Sequence, residues 1–232
     1  ASEDSSRRYY QNRFVCIPAA TPNRPARRAS QAQQTFETAT VTGPQDAEIH
    51  TDAHGRIKVQ FHWDLNGQRN EHSSCWMRVM QTWAGAGWGH QFIPRVGMEV
   101  LVLLLGGDVD NPLVIGSAYN GSNRTPFTLE EDKTRSGMRT RSSPNSDGFN
   151  ELSFEDLSGN EEVYLHAQRN LREKVLHNHG TVVLNDQSND ISRHQVEIVG
   201  GNQTLAVRGN RSETVDMNLV RAVLGHEAVE ID

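Results

Sequence analysis

The sequence predicts an all-β protein: an OB-type small barrel followed by an intertwined three-chain β-helix, a triangular prism in a homotrimer. Three observations carry this expectation. Residues 41–120 hold five or six short strand-like runs separated by Gly-, Asn- and Pro-rich turns. From Leu171 onward an eight-residue period appears, with a β-branched apolar residue once per block. The chain is 35% hydrophobic over 232 residues, with a mean hydropathy of −0.64. That is thin for a large monomeric core, so much of the chain is extended or its burial is shared with other chains.

Composition excludes several classes. A net charge of −6 gives no overall attraction to nucleic acid or to an acidic membrane. No apolar run is long enough for a membrane span, and the N-terminal residues lack the apolar core of a secretory signal. The two cysteines, Cys16 and Cys75, make no disulfide framework and fit a reducing compartment. The chain starts at Ala1 without an initiator methionine and stops within a repeat, so a C-terminal fragment of a longer chain is expected.

In chain order, residues 1–40 mix arginine, proline and polar residues and read as a linker. Tyr9-Tyr10 with Phe14–Ile17 suggests one strand, and Pro18, Pro22 and Pro25 then forbid a regular ladder. In the barrel region, Ala47–His50 leads into a turn at Asp52–Gly55. Arg56–Trp63 alternates polar and apolar residues, the mark of a half-buried strand. Cys75–Met80 and Gln91–Pro94 are expected as further strands, Met98–Leu105 as one buried on both faces, and Leu113–Tyr119 as the last. Residues 121–150 are rich in Ser, Asn, Gly, Pro and Thr and read as an extended connector too short for a catalytic domain. The region 151–232 opens with two short strands around the turn Leu157–Asn160, and the octads follow.

The octad column is Val175, Val183, Ile191, Val199, Val207, Val215, Val223 and Ile231. A period of eight fits no helix, but it fits a short extended segment plus a corner. Candidate corner residues are Gly201, Asn202, Gly209, Asn210, Asn218 and Gly225. Met217 stands where the column of corner glycines would continue, and Leu184-Asn185-Asp186 has no glycine. One or two apolar positions per octad make no core for a single chain, so repeats must stack on neighbours. Three chains around one axis would bring the β-branched residues together there. At roughly 4.8 Å per octad, eight octads span about 40 Å. A single-chain β-solenoid or a series of hairpins is the alternative.

Catalytic, cofactor and metal sites are not expected. His50, His54, His62, His72 and His90 lie in the barrel region beside Asp52, Asp64 and Glu71, but their spacings match no metal motif. His166, His177, His179, His194 and His226 fall in or before the octads, and His194 and His226 share a corner column. No nucleophile elbow, phosphate-binding loop or paired-cysteine motif is present. Trp76, Trp83 and Trp88 read as core or intermolecular contacts rather than sugar platforms.

Runs in a fixed order sharpen this expectation. They include Gly55–Asp64, Ser73–Val79, Trp83–Gly89, Phe92–Val100, Gly107–Pro112, Lys133–Gly137, Asn150–Asp156 and Leu165–Arg169. Together they resemble the VgrG-type (valine-glycine repeat) spike proteins of bacterial type VI secretion. These are similar to the hub and spike proteins of contractile phage tails. Tyr10–Phe14 with Ile17–Ala19 resembles the end of that family's N-terminal hub domain. The resemblance implies a homotrimer that caps a tube of hexameric ring proteins, receives a conical tip protein and carries effectors. It implies assembly in the bacterial cytoplasm, then injection through a target membrane, with no nucleic acid involved. Two rivals remain: a mount for a cell-wall hydrolase whose catalytic domain lies outside these residues, and an OB-fold nucleic-acid binder.

Overall fold

The computed structural model describes residues 10–22 and 35–230. The chain divides into two units, Ala1–Arg172 and Glu173–Asp232. Among the described residues of the first unit every regular element is a strand, apart from one short 3-10 turn at Leu105–Gly107.

Five strands form the barrel: β1 (Thr35–Thr42), β2 (Lys58–Phe61), β3 (Arg78–Val79), β4 (Glu99–Leu104) and β5 (Pro112–Ala118). Their order is β2-β1-β4-β5-β3, antiparallel except where β3 runs parallel to β5. The ring closes between Ile57 and Met77, whose N–H groups donate to each other's carbonyls at 3.0 and 2.8 Å. Closure leaves the short strands without an open edge. Alternation aims Ala39, Val41, Ile57, Val59, Val100, Val102 and Val114 inward, with Met77, and all are almost fully buried. Between β4 and β5 the register skips Ile115: Leu101 faces Gly116 and Val102 faces Val114. This bulge adds the bend a small barrel needs.

Several expectations change here. β1 begins at Thr35, inside the stretch expected to be linker. Its inward residues Ala39 and Val41 are small and Phe36 points out, so hydrophobicity does not announce it. Phe14–Ile17, Ala47–His50 and Gln91–Pro94 form no strands. Glu48 instead anchors loops: its carbonyl accepts from Val96 N–H, and its carboxylate accepts from Asn145 N–H at 2.7 Å. The Ser143 hydroxyl and the Asn145 N–H hold that carboxyl below its ordinary range. Met98–Leu105 is buried at Val100 and Val102 and only half-buried at Leu101 and Leu103, because one face alone meets the core. The turn at Asp52–Gly55 forms as expected, with Gly55 at φ 71° and Asp52 Oδ1 accepting from the His54 and Arg56 N–H groups.

A second, three-stranded antiparallel sheet follows, ordered β6 (Arg135–Arg139), β7 (Glu151–Glu155) and β8 (Glu162–His166). β6 lies in the expected connector. It is silent to a hydrophobic pattern because its outward and inward residues are Arg, Ser, Gly and Met. Gly137 lets β6 lie close to β7: a Cβ there would sit 2.4 Å from the Leu152 carbonyl oxygen. β7 and β8 pair around the expected turn, closed by Asn160 N–H donating to the Leu157 carbonyl at 2.8 Å with Gly159 at φ 85°.

In the second unit the described residues 173–230 make no backbone ladder within the chain. Extended segments alternate with bends at 176–177, 184–185, 192–193, 200–201, 208–209, 216–217 and 224–225. The bends recur with the period of the sequence.

Candidate functional site

The octad unit is where sequence and structure concentrate unusual features. Each bend follows directly on a column residue. Val175, Val183, Ile191, Val199, Val207, Val215 and Val223 are each between 43% and 52% exposed. Apolar residues elsewhere in the unit are more open, with Leu184 at 99%, Ile198 at 89% and Val220 at 87%. The column is therefore the most sheltered apolar row, although no second chain covers it. Ile231 lies outside the described residues. Gly201, Gly209 and Gly225 occupy second bend positions, and Asn202, Asn210 and Asn218 come one residue after the bends.

None of these three glycines has a left-handed φ, and a Cβ on any of them would meet nothing within 4 Å. The same position is His177, Asn185, Arg193 and Met217 in the other octads, which bend equally. Glycine is thus not what makes the chain turn. Side chains six residues apart meet across a bend: Gln203 Nε2 donates to Glu197 Oε1 at 2.8 Å, and Arg221 pairs with Glu227 at 2.9 Å.

Backbone accounting decides what such a unit requires. A buried N–H or C=O without a partner costs free energy, so nearly all find one. Here the chain supplies none for its extended segments, and it leaves a regular apolar row half-covered. Strands from other copies would meet both deficits.

The sheet before the octads holds a charged cluster that sequence reading missed. Glu151 is 3% exposed. It accepts from Ser153 Oγ at 2.7 Å and pairs with Arg139 Nε at 2.5 Å, with Arg135 at 3.7 Å. Burial by itself pushes the Glu151 carboxyl up. The Ser153 hydrogen bond and the Arg139 bond and charge outweigh that and hold it below the ordinary 4.5. Arg135 and Arg139 lie over Phe127, and Arg139 also lies over Phe149 at 4.7 Å. The alternation Arg135, Gly137, Arg139 opposite Glu155, Ser153, Glu151 was the available signal.

The histidines do other work. His50 lies tilted against Trp76 at 4.8 Å, His90 bonds Thr82, and His166 lies against Phe149 at 4.5 Å. Asp64 caps its own turn, accepting from Gln60 Nε2 at 2.7 Å and from Asn66 N–H. Among the described residues no group of three or more His, Cys, Asp or Glu is placed to hold a metal ion. Trp83 and Trp88 meet edge to face at 5.1 Å on an exposed hairpin, so they are not core residues of the single chain.

Two family models match parts of the chain. Residues 38–119 match the type VI secretion system/phage-baseplate injector OB domain. Residues 136–232 match the bacteriophage T4 gp5 C-terminal trimerisation domain. The chain is 47% identical over 178 residues to the type VI secretion system spike protein VgrG4b of Pseudomonas aeruginosa, covering 76% of this chain and 22% of that protein. It is 43% identical over 178 residues to the spike protein VgrG3 of Vibrio cholerae, covering 77% and 17%. It is 40% identical over 201 residues to the actin cross-linking toxin VgrG1 of Vibrio cholerae, covering 87% and 18%. The chain thus spans about a fifth of the length of the relatives it matches. With an injector OB barrel, a gp5-type trimerisation segment and this identity across most of its length, the chain belongs to the VgrG-type spike proteins of type VI secretion.

Proposed function

We propose that this chain is the structural, non-enzymatic part of a homotrimeric spike that leads a contractile, tail-like apparatus through a target membrane and carries effectors. The observation that carries the reading is the octad unit, an extended chain with a periodic sheltered apolar row, whose described residues form no backbone ladder within the chain. Three intertwined copies supply those partners and bury Val175, Val183, Ile191, Val199, Val207, Val215, Val223 and Ile231 along a shared axis. The corners fall at the bends that hold Gly201, Gly209 and Gly225, with Asn202, Asn210 and Asn218 directly after a bend. A prism cross-linked between chains at every rung has no lateral edge strand and resists buckling under axial load.

The relatives named as spike proteins of the secretion system support the role, and the one named as an actin cross-linking toxin supports effector carriage. The partners that follow are a hexameric ring protein at one end and a conical tip protein and effectors at the other. Assembly takes place in the bacterial cytoplasm and is followed by injection into the target cell.

The deciding measurement is mass in solution by light scattering. Three times 25.9 kDa is expected, and a monomer overturns the reading. The variants Val207→Asp and Val215→Asp each bring three carboxylates together without counter-charges, which costs several kcal/mol and abolishes the trimer. Leu184→Asp, on a fully exposed bend residue, leaves the mass unchanged. If V207D remains a stable trimer, the column does not face the axis.

A further inference from the structure

Two Asn-Gly dipeptides occur in the chain, Asn66-Gly67 and Asn120-Gly121. Asparagine is chemically labile, and most so before glycine, which lacks the Cβ that shields the following nitrogen in other residues. The fold treats the two dipeptides differently. Asn120 is tied down at both ends of its amide. Its Nδ2 donates to Glu99 Oε2 at 2.6 Å, and its Oδ1 accepts from the Ser122 and Asn123 N–H groups at 2.9 and 2.7 Å. Asn66 lies exposed in the loop between β2 and β3. Its backbone N–H donates to Asp64 Oδ1 at 3.2 Å. Among the described residues nothing bonds its side-chain amide or the Gly67 N–H. A related dipeptide, Asp147-Gly148, has its glycine N–H engaged by Ser146 Oγ at 3.2 Å.

We propose that Asn66 is a site of spontaneous covalent modification in the folded chain, and that the fold holds Asn120 unreactive. The Gly67 nitrogen gives up its proton and bonds to Asn66 Cγ. The Nδ2 group takes that proton from solvent and leaves as ammonia, so the ring closes without an oxidant or a co-reactant. Water then opens the five-membered succinimide. Opening at the side-chain carbonyl leaves aspartate. Opening at the main-chain carbonyl leaves isoaspartate, with one more carbon in the backbone. Either product adds a negative charge beside Asp64. The inference does not depend on the trimer reading above.

The two products differ in what they do to the barrel. The Gly67 backbone lies directly on the Gln60 side chain, and a Cβ at position 67 would overlap that amide. Gln60 is 4% exposed, and its Nε2 donates to the Asp64 carbonyl and carboxylate at 3.1 and 2.7 Å. Its main chain lies in β2, opposite Thr40 of β1. A backbone one carbon longer at residue 66 lifts Gly67 off the Gln60 amide and admits water at the end of β2. Aspartate keeps the native backbone and leaves that packing in place.

Incubation of the full chain at mildly alkaline pH, followed by mapping of its tryptic peptides, tests the site. Peptide 59–69 holds Asn66 as its only asparagine. Its mass gains the difference between an NH2 and an OH group, and an isoaspartate-specific methyltransferase labels it. Conversion at Asn66 is expected to run at least about tenfold faster than at Asn120, the factor that matches about 1.4 kcal/mol of side-chain hydrogen bonding to be released. In a digest made before incubation both dipeptides lie in free peptides and convert at similar rates. Equal conversion in the folded chain, or none at Asn66, overturns the proposal. A gap of the same size in the digest also overturns it, because local sequence and not the fold then sets the rates. Hydrogen exchange along β2, compared between aged wild type and Asn66→Asp, tests the consequence. Faster exchange in the aged chain alone is expected. Identical exchange in the two overturns the effect on the barrel and leaves the modification standing.

Discussion

Glu151 shows how much one residue controls before the octads begin. Its side chain is 1% exposed, yet it is charged, because two arginines and a hydroxyl surround it. A hydrogen bond to a charged group contributes about 1.5–3 kcal/mol, and Glu151→Gln is expected to lower stability by about that amount at neutral pH. The sign with pH follows from the lowered carboxyl. Its contribution is complete above the ordinary value of 4.5 and is lost as pH falls through the lowered one. Denaturant melts of wild type and E151Q at a series of pH values check this: the gap between them closes toward acid. A gap that persists unchanged well below pH 4.5 would show that packing, not charge, is what the substitution removes.

At the scale of elements, the octad bends raise the question of what the glycines do. The second bend position carries His177, Asn185, Arg193 and Met217 as well as Gly201, Gly209 and Gly225. A lane that takes arginine and methionine has room for a methyl group, and Gly209 is not left-handed. Gly209→Ala is therefore expected to be neutral or to stabilise each chain by about 0.4–1 kcal/mol, by restricting the unfolded state. A lower unfolding midpoint for G209A would place a neighbouring copy's backbone against that corner. The bends themselves were legible in the sequence, because a β-branched column at fixed period survives without any partner in view. So were β4, β5 and the β7–β8 hairpin, where alternation or apolar runs are strong. β1 was not, since a closed barrel of this size fills its interior there with Ala39 and Val41 and turns Phe36 outward. β6 was hidden because its buried neighbours are charged, and hydrophobic periodicity cannot report a strand that meets the protein through Arg135 and Arg139. The Glu151 cluster was missed because its parts lie in separate segments that strand pairing brings together, although the alternation of Arg135, Gly137 and Arg139 and of Glu151, Ser153 and Glu155 was there to read.

At the scale of the whole molecule, the two units differ in what stabilises them. The barrel has its own core of fully buried Val, Ile, Ala and Met side chains closed by backbone bonds. None of the described residues of the octad unit is buried in the single chain, and ordering a backbone costs about 1–2 kcal/mol per residue. On the trimer reading, contacts between copies offset that cost, and the unit becomes ordered as copies associate. Folding of the octads is then linked to assembly by mass action, while folding of the barrel core is not. Two transitions are expected when reversibly unfolded samples are compared over a range of protein concentrations. The one that exposes the barrel core stays near a fixed denaturant midpoint. The one that releases the octads moves to higher denaturant as protein concentration rises, and V207D removes it without displacing the first. Hydrogen exchange resolved along the chain assigns each transition to its unit. If the octad amides are protected independently of concentration, the unit is held by its own chain, and a single-chain solenoid replaces the three-chain prism.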